Sequence, residues 1–232
     1  MRGLGFEAST ARPRKLLKKR LKAFNTLRDL QVQRLLVKTW ISRFPAAHSF
    51  AILLKHREQS TVHELRARIA SLRARPVTRR LRKLSAQIAA AGVAKAPAPA
   101  LTLAPLLDSA IARLVVARGK VRARSPETIH QTRVALKRLR YLCEILQPWL
   151  PVITSEELER MRQGQVRMGE VQDIAVLLAA IQHATTEGAV PKAELAPWCA
   201  ALRRRLTLSS GRVTKAAAVS FARTQPVQQG AD

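Results

Sequence analysis

Aromatic residues and long apolar runs are both scarce in this 232-residue chain. Phe, Trp and Tyr together make up 4% of it. Platforms on which unpaired bases stack are therefore not expected, and single-stranded nucleic acid is a poor candidate ligand. No uncharged stretch approaches the roughly 18 apolar residues of a membrane span. The first residues also lack the apolar segment of a signal peptide. We expect a cytoplasmic protein without a membrane span.

Motifs for catalysis and metal binding are missing as well. The two cysteines, Cys143 and Cys199, have neither a CxxC nor a zinc-ligand spacing. There is no glycine-rich phosphate loop, no pair of carboxylates placed for a metal and no nucleophile elbow. His130 has no companion at a metal-ligand spacing, so a structural or anion-binding role is favoured over catalysis. The sequence predicts no enzyme, no metal site and no cofactor.

Acidic residues show the largest deficit. Asp and Glu number 15 against 42 Lys and Arg, which gives a formal net charge of +27. Such self-repulsion is tolerable when the protein normally lies against a polyanion. The candidates are nucleic acid, an anionic membrane surface and inorganic polyphosphate. Because 47% of the residues are apolar, the chain is long and apolar enough to bury a real core.

The clearest local pattern is a helix predicted over residues 125–148, SPETIHQTRVALKRLRYLCEILQP. Ser125 can cap it, Pro126 fits its first turn, Glu127 suits the positive end of its dipole, and Pro148 ends it. Placed at 100° per residue, one arc of the helix is apolar. This arc, which we expect to pack into a bundle, consists of Ile129, Ala135, Leu136, Leu139, Leu142, Cys143 and Leu146.

The opposite arc of this helix carries cations in register. Its members are His130, Arg133, Lys137, Arg140, Tyr141 and Glu144. Such a face can follow a polyanion for about 20 Å at 1.5 Å rise per residue. The arginines offer planar forks for phosphate oxygens and Lys137 a point charge. Glu144 is expected to orient an arginine. An ordinary solvated basic surface is the alternative interpretation.

The remaining chain also has helical periodicity, and no segment alternates convincingly with period two, so the predicted fold is all-α. Further helices are predicted over about 14–44, 49–72, 77–91, 105–122, 154–184 and 194–223. Residues 92–105 are rich in Pro and Ala and predict a linker. It separates a first helical half, 14–91, from a second, 106–223. Residues 1–13 and 224–232 are expected to be disordered.

A short internal repeat relates the two halves. Residues 27–32, LRDLQV, match 171–176, VQDIAV, in hydrophobic type and in the position of an aspartate. The match favours a duplication of helical bundles. Asp29 and Asp173 are expected to be buried hydrogen-bond partners of a basic helix. The first half would begin without its own copy of the histidine helix.

The chain resembles the CHAD family, whose hallmark is a helix of the form HxxRVxxK/RRLRY. Here that motif runs from His130 to Tyr141, and a downstream GxxxDxxVL-like segment begins at Gly169. The resemblance covers about residues 14–223, more strongly in the second half. It implies two pseudo-repeated antiparallel helical bundles with long helices around a basic groove or channel. The ExExK strand motif of a triphosphate-tunnel hydrolase, a companion of such domains, is absent.

The resemblance further implies non-catalytic binding of inorganic polyphosphate. The expected ligand-binding residues are His130, Arg133, Lys137, Arg140, Tyr141, Arg162, Arg167, Lys18 and Lys22. His130 is expected to help in a pH-dependent manner. Polyphosphate granules and a triphosphate-tunnel hydrolase are the implied partners. Sequence-independent nucleic-acid binding is the alternative function, because phosphates supply that affinity too.

Overall fold

A computed structural model of the protein describes residues 11, 14–18, 21–22, 24–70, 75–90, 99–148, 150 and 153–221. These residues form helices joined by turns, and no β-strand occurs among them, so the all-α prediction is confirmed. Residues 14–18 and 21–22 are helical. The helices after them are, in chain order, α1 (Asn25–Lys38), α2 (Pro45–Ala70), α3 (Arg75–Ala90), α4 (Pro99–Gly119), α5 (Pro126–Leu146), α6 (Ser155–Thr186) and α7 (Lys192–Phe221). Among the described helices, none combines the length and apolarity needed to cross a bilayer.

The chain divides into two compact units. The first extends to Leu106 and also takes in Gly188–Leu195. The second comprises Leu107–Glu187 and the chain from Ala196 onwards. Most of the predicted linker, residues 91–98, lies outside the described residues, as do the predicted disordered ends apart from residue 11.

The ends of α5 and α6 are where the local signals predict them. Pro126 is the first residue of α5, and the helix ends at Leu146, two residues before Pro148. Ser125 precedes Pro126 in extended conformation, but its side chain makes no capping hydrogen bond, which differs from the prediction. Thr154 caps α6 by accepting a hydrogen bond from the Glu157 N–H, while the Glu157 carboxylate accepts from the Thr154 N–H at 3.0 Å. This reciprocal capping box satisfies two donors that a helix start leaves unpaired.

Helix α4 starts earlier than predicted. It begins at Pro99, so residues 99–105 are helical rather than part of a linker. A proline suits the first turn of a helix, and the Ala and Leu residues that follow it are strong helix formers. Pro105 removes one helical hydrogen bond but does not end the helix. In the same way Pro45 and Pro76 lie at the starts of α2 and α3 rather than ending the elements before them.

The second unit has a core to which several of its elements contribute. Val121 follows α4, Ile129 belongs to α5, Met168 and Val171 to α6, and Val213 to α7, and all five are buried together. Ile129 and Val171 are fully inaccessible to solvent. Burial of such side chains contributes about 1.5–3 kcal/mol each. This core fixes the rotation of α5 about its axis, and therefore the direction of its basic face.

In the first unit an ion pair joins α1 to α2. Arg34 on α1 donates to the carboxylate of Glu58 on α2, and both side chains are largely covered. This hydrogen bond is the main reason that the pKa of Glu58 lies below its usual range. A lowered pKa in the folded state means that the pair stabilises the fold above the unfolded-state pKa of the glutamate. The contribution is lost as the pH falls through the folded-state pKa.

We expect Glu58→Gln to lower the free energy of unfolding by about 1 kcal/mol at pH 7, because the substitution removes the charge that Arg34 meets. The deficit should shrink as the pH is lowered and the wild-type carboxylate is protonated. Urea unfolding between pH 7 and pH 3 measures this difference. Glu64→Gln, at an exposed site on the same helix, is the control and should have little effect. If the difference in free energy of unfolding between Glu58→Gln and the wild type stays constant over this range, the ion pair does not stabilise the fold as described.

Candidate functional site

Helix α5 presents its apolar arc to the interior as predicted. Ile129, Leu139, Cys143 and Leu146 are buried, and burial raises the pKa of the Cys143 thiol. Thr132 is buried as well, with its hydroxyl 3.1 Å from the Ala117 carbonyl oxygen at the end of α4. These contacts turn the other arc of α5 toward the edge it shares with α6.

We call His130, Arg133, Lys137 and Arg140 the basic row. All four side chains are half-buried rather than freely solvated, which differs from an ordinary basic surface. Helix α5 packs closely against α6, and Arg133 and Arg140 contact residues of α6. Because His130 and Lys137 share their helical face, the basic row lies along the seam between these two helices.

Two glycines of α6 let the helices approach. A Cβ placed on Gly164 would lie 3.3 Å from Cδ2 of Leu136, and one placed on Gly169 would lie 3.5 Å from Nε of Arg133. The Arg133 guanidinium thus rests over the bare backbone of Gly169. Together with the contact between Arg140 and Gln165, these pairs show that the helices run antiparallel. Continuing this register by one helical turn brings residue 173 level with His130.

The C-terminal end of the basic row is organised around Tyr141. The guanidinium carbon of Arg140 lies 4.5 Å from the centre of the Tyr141 ring, and Nζ of Lys137 lies 5.6 Å from it. Both distances fall within the range of cation–π attraction. The ring therefore holds two like charges near each other, while nearly half of its own surface stays exposed.

Glu144 orients an arginine, as the sequence predicts. Its carboxylate accepts a hydrogen bond from Arg140 four residues earlier. Arg140 also donates from Nε to Oε1 of Gln165, at 3.2 Å. With these partners, its side chain is only 14% exposed.

Several polar atoms at the seam are buried without a partner. They are Nδ1 of His130, Nε of Arg133 and Nε2 of Gln165. A buried donor with no acceptor loses about 1–3 kcal/mol of solvation that nothing replaces. Among the described ion pairs, none involves Arg133 or Lys137. The seam therefore combines two cations that take part in no described ion pair with the unsatisfied N–H groups of Arg133 and Gln165, an arrangement that suits a bound anion.

The sequence also predicts four binding residues outside α5. Arg162 is exposed and donates to both carboxylate oxygens of Glu159, at 2.6 and 2.8 Å, so its charge is already paired. These bonds lower the pKa of Glu159 to about 2. Arg167 follows Gln165 by two residues and lies about 200° further around α6, away from α5. Lys18 and Lys22 are exposed and belong to the first unit.

The two aspartates of the short internal repeat differ in environment. Asp173 is half-buried on α6. Asp29 is exposed, which corrects the expectation that it is buried. The buried positions of α1 are Gln33 and Val37, so residue 29 lies a turn before the part of that helix that is covered.

Sequence reasoning missed Gln165. It is neutral and lies outside the hallmark motif, so no charge pattern marks it. The available signal is its spacing: Gln165, Gly169 and Asp173 follow one another at intervals of four residues and therefore share one face of α6. Among the described residues, no group of three or more His, Cys, Asp or Glu side chains is placed to hold a metal ion.

Comparison with protein families agrees with the motifs on α5 and α6. A family model, that of the CHAD domain, matches residues 2–182, more than three quarters of the chain. The match includes the whole of α5 and most of α6, the two helices that form the seam. Searches of curated proteins and of solved structures returned no match. Because the family match covers most of its residues, the chain belongs to the CHAD domain family.

Proposed function

We propose that this protein binds inorganic polyphosphate along the basic row of α5, without making or breaking bonds. The observation that carries the proposal is the state of Arg133 and Lys137, two half-buried cations with no carboxylate partner among the described ion pairs. CHAD domains are associated with polyphosphate-related proteins in general. The net charge of +27 provides long-range attraction for such a polymer.

The dimensions of the seam favour a slender ligand. From His130 to Arg140 the basic row is about 15 Å long at 1.5 Å rise per residue. Its side chains are half-buried between α5 and α6, so their donors are recessed from the surface. A flexible thread of phosphates can bring its oxygens to recessed donors. Duplex DNA, whose phosphates lie on a wide and stiff cylinder, reaches exposed cations more easily.

The contacts that we expect are charge-assisted hydrogen bonds. Arg133 offers a planar fork to phosphate oxygens, and Lys137 offers a compact ammonium. His130 lies one turn before Arg133 and adds a further charge when its ring is protonated. The proposal assigns no nucleophile and no general base to these residues.

The proposal also covers the location of the protein in the cell and a neighbouring enzyme. We infer a cytoplasmic protein that is drawn to polyphosphate granules by the same contacts. A triphosphate-tunnel hydrolase acting on the same polymer is the proposed neighbouring enzyme. Co-localisation of the tagged protein with granules, and its loss when granules are absent, is the measurement for this part of the proposal.

Direct competition between polyphosphate and duplex DNA tests the choice of ligand. At equal phosphate concentration we expect polyphosphate to displace labelled DNA from the protein. The logarithm of the affinity should fall linearly with the logarithm of the salt concentration, because each neutralised phosphate releases counterions. Fluorescence anisotropy at several salt concentrations measures both effects. Preferred binding of DNA would favour the nucleic-acid alternative, and affinity that does not depend on salt would contradict binding by the basic row.

A further inference from the structure

Arg140 has few hydrogen-bonding groups left for a ligand. Its Nε donates to Gln165 at 3.2 Å, one of its terminal nitrogens pairs with Glu144, and its planar face lies 4.5 Å from the centre of the Tyr141 ring. Glu144 also neutralises its charge at close range. Arg140 therefore differs from Arg133 and Lys137, which have no such carboxylate among the described ion pairs.

The same contacts decide how the Gln165 side chain is oriented. Its Oε1 accepts the hydrogen bond from Arg140, so the amide cannot be reversed without bringing two N–H donors together. Nε2 is then left with two N–H groups, no partner among the described residues and less than 1 Å² of exposed surface, so a ligand reaches it by entering the seam. A buried amide donor without an acceptor is destabilising until another group supplies one.

From this geometry we infer that Gln165 is a direct ligand-binding residue, whose Nε2 donates to a phosphate oxygen, and that Arg140 is the positioning residue that aims it. The inference rests on the proposed function, since the ligand is the polyphosphate bound along the basic row. It moves the direct contact at this end of the seam from a cation on α5 to a neutral side chain on α6. Tyr141 and Glu144 support the contact by fixing Arg140.

The salt dependence of binding distinguishes the loss of a neutral donor from the loss of a cation. A hydrogen bond from an uncharged amide to a phosphate adds affinity, but it neutralises no phosphate and releases no counterion. Loss of Gln165 should therefore weaken binding without changing the slope of the salt dependence. Loss of a cation that contacts phosphate should lower the slope by somewhat less than one unit.

The experiment measures polyphosphate affinity against salt for the wild-type chain, for Gln165→Met and for the control Gln163→Met. Methionine keeps the length of the side chain and removes both amide groups, and Gln163 is an exposed neighbour on the same helix. We expect Gln165→Met to weaken binding about tenfold with the slope unchanged, and Gln163→Met to behave as wild type. Unchanged affinity of Gln165→Met overturns the inference. A tenfold loss with a lowered slope also overturns it, because the residue would then act through the charge of Arg140.

The substitution Gln165→Glu is a second test of the inference. Glutamate keeps an acceptor for Arg140 but places a carboxylate where the phosphate oxygen would bind. We expect it to weaken binding at least about thirtyfold more than the matched charge change Gln163→Glu, since only the former opposes the ligand at contact distance. Equal effects of the two substitutions overturn the inference. A wild-type chain that does not bind polyphosphate instead overturns the proposed function, so the two failures are distinguishable.

Discussion

Reversing the charges of Arg133 and Lys137 to glutamate should weaken polyphosphate binding at least about a hundredfold. Each substitution removes a charge-assisted hydrogen bond, which contributes about 1.5–3 kcal/mol, and adds a repulsion in its place. Both side chains are half-buried, so water and salt screen them less than they screen a surface cation. Isothermal titration calorimetry at constant salt concentration measures the loss, and circular dichroism verifies that the helices are retained.

The matched control for this double change is Arg79→Glu with Lys83→Glu on α3. These residues have the same types and the same spacing of four as Arg133 and Lys137, but both are exposed. The net charge of the protein changes by the same amount in the two variants. We expect the control to weaken binding less than tenfold, through long-range attraction alone. Equal losses in the two variants would show that the ligand responds to net charge and that the basic row is not its site.

The parts of the fold that sequence predicts well are those that local signals determine. Both ends of α5 and the start of α6 follow from residues adjacent in sequence, such as Pro126 in the first turn and Thr154 in a capping box. The buried arc of α5 follows from periodicity alone, because a helix with one apolar face has one way to cover it. The start of α4 at Pro99 was harder to predict, because prolines both begin helices and occupy linkers.

The site was predictable only in part, because partners across helices are not encoded in spacing. The sequence places three cations and a histidine on one face of α5. It cannot tell that Glu144 and Gln165 hydrogen-bond Arg140, whereas Arg133 takes part in none of the described ion pairs. That difference arises from the register between α5 and α6, which depends on how closely the helices approach at Gly164 and Gly169. For the same reason, the role in binding that we infer for Gln165 is not predicted by the chemistry of that residue alone.

Substitution of Gly169 by leucine is the second change from which we expect a large effect. A Cβ at this position would lie 3.5 Å from Nε of Arg133, an ordinary van der Waals separation, so Gly169→Ala should be tolerated. Alanine should even add up to about 1 kcal/mol of helix stability. Leucine extends well beyond its Cβ and needs the space that the guanidinium occupies. Gly169→Leu should therefore displace Arg133 or separate the helices, with a loss of about 1–3 kcal/mol in the free energy of unfolding.

Displacement of Arg133 should also weaken polyphosphate binding in Gly169→Leu by between about tenfold and a hundredfold, the range for one hydrogen bond to a charged group. Gly211→Leu on α7 is the control, since no atom lies within 4 Å of a Cβ placed there. It makes the same change of residue in a helix without filling a contact. Urea unfolding and calorimetry on the wild type, both leucine variants and Gly169→Ala separate stability from affinity. If Gly169→Leu binds as tightly as Gly169→Ala, the position of the guanidinium over the glycine backbone does not matter for binding, and Arg133 reaches the ligand from elsewhere.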